Sequence, residues 1–332
     1  MKLREIGERE LIRRIFAEQK IEQEKDDCAM IQNGDEFLLV SSDIVSDRNN
    51  IPRDAKPESI GKFFAAVNLS DIAAMAGIPM AFVSSISVDP DTQWEYLERI
   101  ENGLHTMLSR YDTDLVGGDL KEGTGLTLTG TIIGHQKREK TRKRSDISAG
   151  QILGVTNELG KAGAAYVFYS NGYLGRRAGE MMMDVHPRIR EGQLISEYGG
   201  RFLTDLSDGL ASTAVQVNSD FGLGFKLVEH DIPVSKHVKK ATEISGRSST
   251  EISLDYGGDY ELLFTIESKN TRDFLAGMES NGISVSLIGE VWNGNNIIFD
   301  GDIWRNMDFR GYEHFTDRAG HRGVVDKPQK KP

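Results

Sequence analysis

The chain has 332 residues, enough for about two domains and a substantial core. Its 38% of apolar and aromatic residues, with 35 glycines besides, argue against a disordered or fibrous chain. The 51 acidic against 40 basic residues leave a formal charge of -11, which disfavours a nucleic-acid or anionic-lipid binder.

A single cysteine, Cys28, excludes an intramolecular disulfide, and no cluster has zinc-finger spacing. The charged segment Met1 to Lys25 has no apolar signal core, and no apolar run is long enough to cross a bilayer, so a cytoplasmic protein is expected. Along the chain, Leu3, Ile6, Leu11, Ile15 and Phe16 predict one amphipathic helix over Leu3 to Gln19, suited to docking. Cys28 to Ile31 and Glu36 to Ser42 predict a hairpin around the turn-forming pair Asn33-Gly34. Ile60, Phe63, Phe64, Val67 and Ile72 predict a helix over Ser59 to Met75 with one buried stripe, closed by Gly77 and Pro79.

Further on, Ala81 to Val88 reads as a strand, Leu97 to Leu108 as a helix, Asp114 to Val116 as a strand running into Gly117-Gly118, and Leu126 to Ile133 as a strand. This alternation predicts an α/β (α+β) domain over residues 1–136. Six of the eight residues from Lys137 to Arg144 are basic and none is apolar, which predicts a solvated linker over 137–150, with one arginine able to reach a phosphate. A second α/β domain over 151–316 is expected to hold a helix at Ala162 to Phe168, a strand ending at Thr204-Asp205, a strand at Tyr260 to Ile266, a helix at Thr271 to Ser280 and a strand at Val285 to Val291. Residues 317–332 read as a disordered tail.

Asp and Gly recur together where strands are expected to end: Asp26-Asp27, Ser42-Asp43, Asn68 to Asp71, Gly117-Gly118-Asp119, Asp205 to Gly209 and Gly257-Gly258-Asp259. Singly these are turn and cap residues. Together they suit a site for several magnesium ions, because a hard cation needs oxygen ligands from several elements and phosphates need glycine backbone amides close by. Asp71 is the sharpest case: three residues after Asn68 on an apolar helix, it shares that residue's face, where a carboxylate without a cation is costly. Cys28 reads as a small core residue, and His186 as an anion contact or a helix cap. The chain has no Walker A, dinucleotide-fingerprint, protein-kinase or HExxH motif, so any nucleotide it handles sits on another scaffold.

Seven motifs in order, Asp26-Asp27-Cys28-Ala29, Ser41-Ser42-Asp43, Val67 to Met75 (VNLSDIAAM), Gly117-Gly118-Asp119, His186-Pro187, Asp205 to Leu210 (DLSDGL) and Asp259 to Phe264 (DYELLF), resemble the thiamine-monophosphate kinases of the aminoimidazole-ribonucleotide-synthetase-like superfamily. The resemblance covers roughly Leu3 to Phe315. It implies ATP-dependent phosphorylation of thiamine monophosphate to thiamine diphosphate by direct in-line transfer, and a homodimer whose N-terminal domains form a shared β-barrel. Carried over position by position, it implies metal ligands at Asp27, Ser41, Ser42, Asp43, Asp71, Asp119, Asp205 and Asp208. The catalytic core among these is Asp71, Asp205 and Asp208, with ATP contacts at Gly118, Asp119, Arg144 and Ser207.

Departures fall on the acceptor side. The family's Gly-Gly-Glu-Asp-Tyr reads Tyr256-Gly257-Gly258-Asp259-Tyr260, so Gly258 stands at the glutamate expected to meet the thiamine pyrimidine, with Asp259 or Glu261 as possible substitutes. Asn50 stands at the family's substrate histidine, and Tyr312 at its terminal aromatic. The expected acceptor contacts are therefore Asn50, Asp259 and Tyr312. The alternatives are a related ATP-dependent kinase or synthetase with another small phosphorylated or amide acceptor, and a nucleotide-binding sensor without catalysis.

Overall fold

The computed structural model describes residues 2–19, 25–307 and 315. Tyr312 and the expected tail at 317–332 lie outside the described residues. The N-terminal half begins with a 3-10 turn, Leu3–Glu5, and helix α1, Glu8–Gln19. Two elements replace the one helix expected here, because the chain turns through Gly7 at φ +86°. Then follow β1 (Ala29–Asn33), β2 (Glu36–Ser46), α2 (Pro57–Ala74), β3 (Ile78–Val88), α3 (Trp94–Ser109), β4 (Asp114–Glu122) and β5 (Thr127–Lys137). These strands form a sheet in the order β1-β2-β5-β3-β4, antiparallel except for the β3–β4 pair.

The C-terminal half comprises β6 (Ile152–Thr156), α4 (Lys161–Ser170), α5 (Arg176–Met182), α6 (Ile189–Glu197), β7 (Gly200–Asp205), α7 (Leu210–Phe221), β8 (Gly224–Val228), α8 (Val238–Ser245), α9 (Ser249–Leu254), β9 (Leu262–Ile266), α10 (Thr271–Ser280), β10 (Val285–Trp292), β11 (Ile297–Phe299) and β12 (Trp304–Asn306). Its seven strands run β12-β11-β8-β10-β6-β9-β7. The molecule is thus a mixed α/β fold with two sheets.

Helix α2 joins them. The apolar spacing predicts a single buried stripe, yet Pro57, Ile60, Gly61, every residue from Phe63 to Ser70, and Ile72 to Ala74 are all buried. The physical reason is its position: α2 packs on β2, β3 and β5 on one side, on α3 on another, and on α6 and β7 of the second half. A helix apolar nearly all round is stable only in such an interior place. One continuous core accordingly holds Phe64, Leu69 and Ile72 together with Leu203, Leu262 and Phe264.

The basic run is solvated only in part: Lys137 to Lys140 are exposed, but the residues that follow turn inward. The Arg142 guanidinium donates to the carbonyls of Glu139, Thr141 and Ser196, Thr141 is buried, and Arg144 turns inward. Charge composition missed this because three arginine donors can be satisfied by backbone carbonyls as well as by water. The N-terminal sheet stays open in one chain: among the described residues no strand closes it into a barrel. Strand β4 is exposed along its whole length, and residues 41–46 of β2 extend past β1 with β5 as their one strand neighbour among the described residues.

Helices α2 and α3 cross where glycines let backbones touch. A Cβ on Gly61 would lie 1.8 Å from the Ile100 carbonyl oxygen, and one on Gly103 would lie 2.1 Å from that of Glu58. Gly61→Ala is therefore expected to cost about 1–3 kcal/mol through forced separation of the helices. A lowered urea midpoint checks this, and an unchanged one would mean that the crossing has slack.

Candidate functional site

Four elements deliver acidic side chains to one place. Asp71 projects from the last turns of α2, Asp43 from the middle of β2, Asp205 from the end of β7, and Asp27 from the segment before β1. Carboxylate oxygens of Asp27, Asp71 and Asp205 lie within 4.8 Å of one another. Asn68 and Asp71 do share a helix face, and both meet β2: the Asp43 N–H donates to Asn68 Oδ1 at 3.3 Å, while Asp43 and Asp71 share a hydrogen bond. Ser41 Oγ donates to Asp71 Oδ2 at 2.5 Å, and Ser70 Oγ to Asp205 Oδ2 at 2.6 Å.

The electrostatics follow from burial and crowding. Burial pushes the Asp71 carboxyl well above the usual range, and Asp43, Asp205 and Asp27 push it further. Burial and then Asp27 push Asp205 up to about 7 against the Ser70 hydroxyl and Arg144, and burial raises Asp43. Carboxyl groups this close cannot all ionise without a compensating cation. The ligand atoms that converge, one from each of Asp27, Asp71 and Asp205, are carboxylate oxygens, which fit magnesium better than a soft metal.

One cation is built in. Arg144 Nη2 lies 2.5 Å from Asp27 Oδ1 and its Nε 3.3 Å from Asp27 Oδ2, with side-chain exposures of 16% and 5%. The Arg144 N–H donates to Asp26 at 2.6 Å, and Nε also donates to Thr204 Oγ1 at 3.1 Å.

Other expected residues stand elsewhere. Ser42 points to the opposite face of β2 from Ser41 and Asp43, where its hydroxyl donates to the Gly130 carbonyl at 2.8 Å. Gly118 and Asp119 lie on β4. Pairing of Asp43 with Gly130, Gly130 with Ser84, and Ser84 with Gly118 places β4 three strands away from β2, about 14 Å at the usual strand spacing. Asp119, 61% exposed, pairs with Lys121 at 3.5 Å. A Cβ on Gly118 would meet the Ser84 carbonyl oxygen at 1.8 Å, so close strand contact explains this glycine without a phosphate. Ser207 is exposed on the loop before α7, and Asp208 faces Tyr260 with the cluster.

On the acceptor side, Asn50 Oδ1 accepts the Ser46 N–H at 3.2 Å inside the turn after β2. Asp259 accepts the N–H groups of Gly160 and Ala162 at 2.6 and 2.8 Å, capping α4, and burial pushes it up to about 6. Glu261 is buried against Arg188, Thr156 and Asn157. Gly258 has φ +99°, a conformation that disfavours any side chain there. His186 is half exposed and pairs with Asp184 at 3.2 Å. Cys28 is buried, its thiol pushed up by burial and then by Asp71, as a core residue would be.

Tyr260, Ser70 and Thr204 were missed as site residues. Tyr260 takes φ +51° beside the carboxylates, a strained conformation of the kind that gathers at functional sites and one that the sequence does not show.

Residues 25–136 match the family model described as AIR synthase related protein, N-terminal domain. The thiamine-monophosphate kinase of Pyrococcus horikoshii is 31% identical over 264 residues, covering 79% of this chain and 83% of the relative. The chain belongs to the thiamine-monophosphate kinase family. The family member from Archaeoglobus fulgidus is 29% identical over 310 residues, covering 92% and 96%. A solved structure, "AaThiL complexed with AMPPCP and TMP", shares the fold at TM-score 0.83 and 24% identity, covering 95% of this chain and 99% of that one.

The raised carboxyls give a pH signature. Asp205 titrates near 7 when folded and near 4 when unfolded. Its protonated form thus contributes stability that is full below about pH 4 and lost as pH rises through about 7. In chelator the melting temperature is expected to fall from about pH 6 to about pH 8, while added magnesium, which needs ionised ligands, raises it more at the higher pH. An equal rise at both pH values would separate magnesium binding from these acids.

Proposed function

We propose that this enzyme transfers the γ-phosphoryl group of ATP to thiamine monophosphate, giving thiamine diphosphate and ADP. The observation that carries the reading is the convergence of Asp27, Asp71 and Asp205 within 4.8 Å, in a chain that matches thiamine-monophosphate kinases over most of its length. Asp27, Asp43, Asp71 and Asp205 would hold magnesium, with Ser41 and Ser70 orienting two of them and Asp208 at the rim. The chemistry magnesium supplies when bound is neutralisation of charge between two facing phosphate groups. The protein's own work is positioning. The carboxylates act as ligands and not as bases, because the attacking oxygen belongs to a phosphate monoester that is already ionised. Arg144 and Ser207 serve the nucleotide, and Asn50 and Tyr312 the acceptor.

Mass analysis after incubation with ATP, magnesium and thiamine monophosphate is expected to show thiamine diphosphate and ADP in equal amounts. Asp71→Asn should lower turnover on the order of a thousandfold with the fold retained. A variant turning over normally would overturn the assignment. A second reading, a kinase or synthetase for another small acceptor, is favoured by one observation: Asp259 caps α4 and Glu261 is committed to Arg188, so neither is free to replace the carboxylate missing at Gly258. ADP formed only with a different acceptor would select it, and ATP bound without ADP release would indicate a sensor.

We further propose a homodimer built on β4. Its exposed edge carries Val116 and Leu120, and with Ile86, Trp94 and Leu97 it lines a groove of about 550 Å³. A second copy laying β4 along the free 41–46 edge of β2 would close a shared barrel and bring Asp119 towards the partner's carboxylates. Leu120→Glu is expected to turn a dimer into a monomer by light scattering and to reduce activity. A wild-type monomer would refute this assembly.

A further inference from the structure

We propose that Arg144 is a tethered counter-cation, whose guanidinium occupies the carboxylate cluster until a divalent ion displaces it and frees it for an anionic ligand. The inference rests on the reading of the cluster as a magnesium site. Both oxygens of Asp27 accept from Arg144, at 2.5 and 3.3 Å, and the first also accepts from Thr204 Oγ1 at 3.2 Å. Asp27 is also one of the three acids whose oxygens lie within 4.8 Å of each other. A cation shared by those acids must therefore draw on the carboxylate that Arg144 already uses, and two positive centres this close repel one another.

The arrangement is built for release. The Arg144 backbone is pinned by its N–H to Asp26 at 2.6 Å, at the start of a 3-10 turn, so the side chain can swing while its root stays fixed. The neighbouring cations are committed elsewhere: Arg142 to the Ser196 carbonyl and Lys143 above the Phe37 ring, 5.6 Å from its centroid. Of these three, Arg144 alone enters the cluster. One guanidinium engages Asp27 alone, so the oxygens of Asp71 and Asp205 remain as ligands for a divalent ion, which displaces their protons as it binds. Release then presents a planar fork of donors, suited to phosphate oxygens, after the metal has arrived. Metal loading would thus precede productive nucleotide binding.

The test is calorimetric titration of magnesium into the full-length protein without nucleotide. Arg144→Gln, which removes the competitor, is expected to bind magnesium about tenfold tighter than wild type, or about 1.4 kcal/mol. Equal or weaker binding by the variant overturns the proposal, as does the failure of both proteins to bind. If Arg144→Gln needs magnesium to fold, Arg144→Met, which keeps the apolar stem and removes the charge, is titrated instead. A gain in the same direction supports the proposal, and no gain overturns it. Asp71→Asn is the control for the underlying reading: magnesium binding that survives this change would place the metal elsewhere, whatever Arg144 does.

Discussion

Four carboxyl groups held together with too little positive charge are the constraint on which the rest of this structure depends. Such a cluster is unfavourable by itself, since each acid is desolvated and each repels the others. The protein tolerates it by fixing the acids to four separate elements. Serine hydroxyls from β2 and α2 hold two of them, and one guanidinium offsets a third. Under the proposed function the repulsion would serve to create demand for a divalent ion, and with it for a polyphosphate. Apolar packing around α2 has to supply the stability that the cluster withholds.

Much of the N-terminal half was legible in the sequence because its elements obey simple periods. Alternation located β2 and β5, and the three-four spacing located α2. The same spacing misjudged how α2 is buried, since Asn68 and Ser70 look like breaks in a stripe although their side chains bond to Phe64 and Asp205 inside the core. Asp27, Asp43, Asp71 and Asp205 could be named from one chain because the motifs that carry them resemble those of a known family; the recurrence of Asp with Gly pointed only to a multi-cation site.

What escaped was set by strand order and by local competition for hydrogen bonds. Asp119 belongs to an aspartate motif like the others, but only the order β2-β5-β3-β4 reveals how far it stands from Asp43. Ser42 differs from Ser41 only by the two-residue period of a strand, which sends neighbouring side chains to opposite faces. Asp259 looks available in a linear motif, but two N–H groups of α4 already engage it. The run from Lys137 to Arg144 reads as solvated on average, so its composition could not show that Arg144 turns inward onto Asp27.

The burial of α2 on nearly every side means that neither half of the chain owns a complete interior. The first sheet without the second would leave the α6-facing side of the helix wet, and the second sheet without α2 would lose the cover over β7. The two halves therefore form a single cooperative unit, and amide protons along α2 report opening of the whole molecule rather than of one part. A cut in the basic strap between the sheets would yield fragments that find each other through this helix, which makes α2 at once the scaffold of the acidic centre and the joint of the protein.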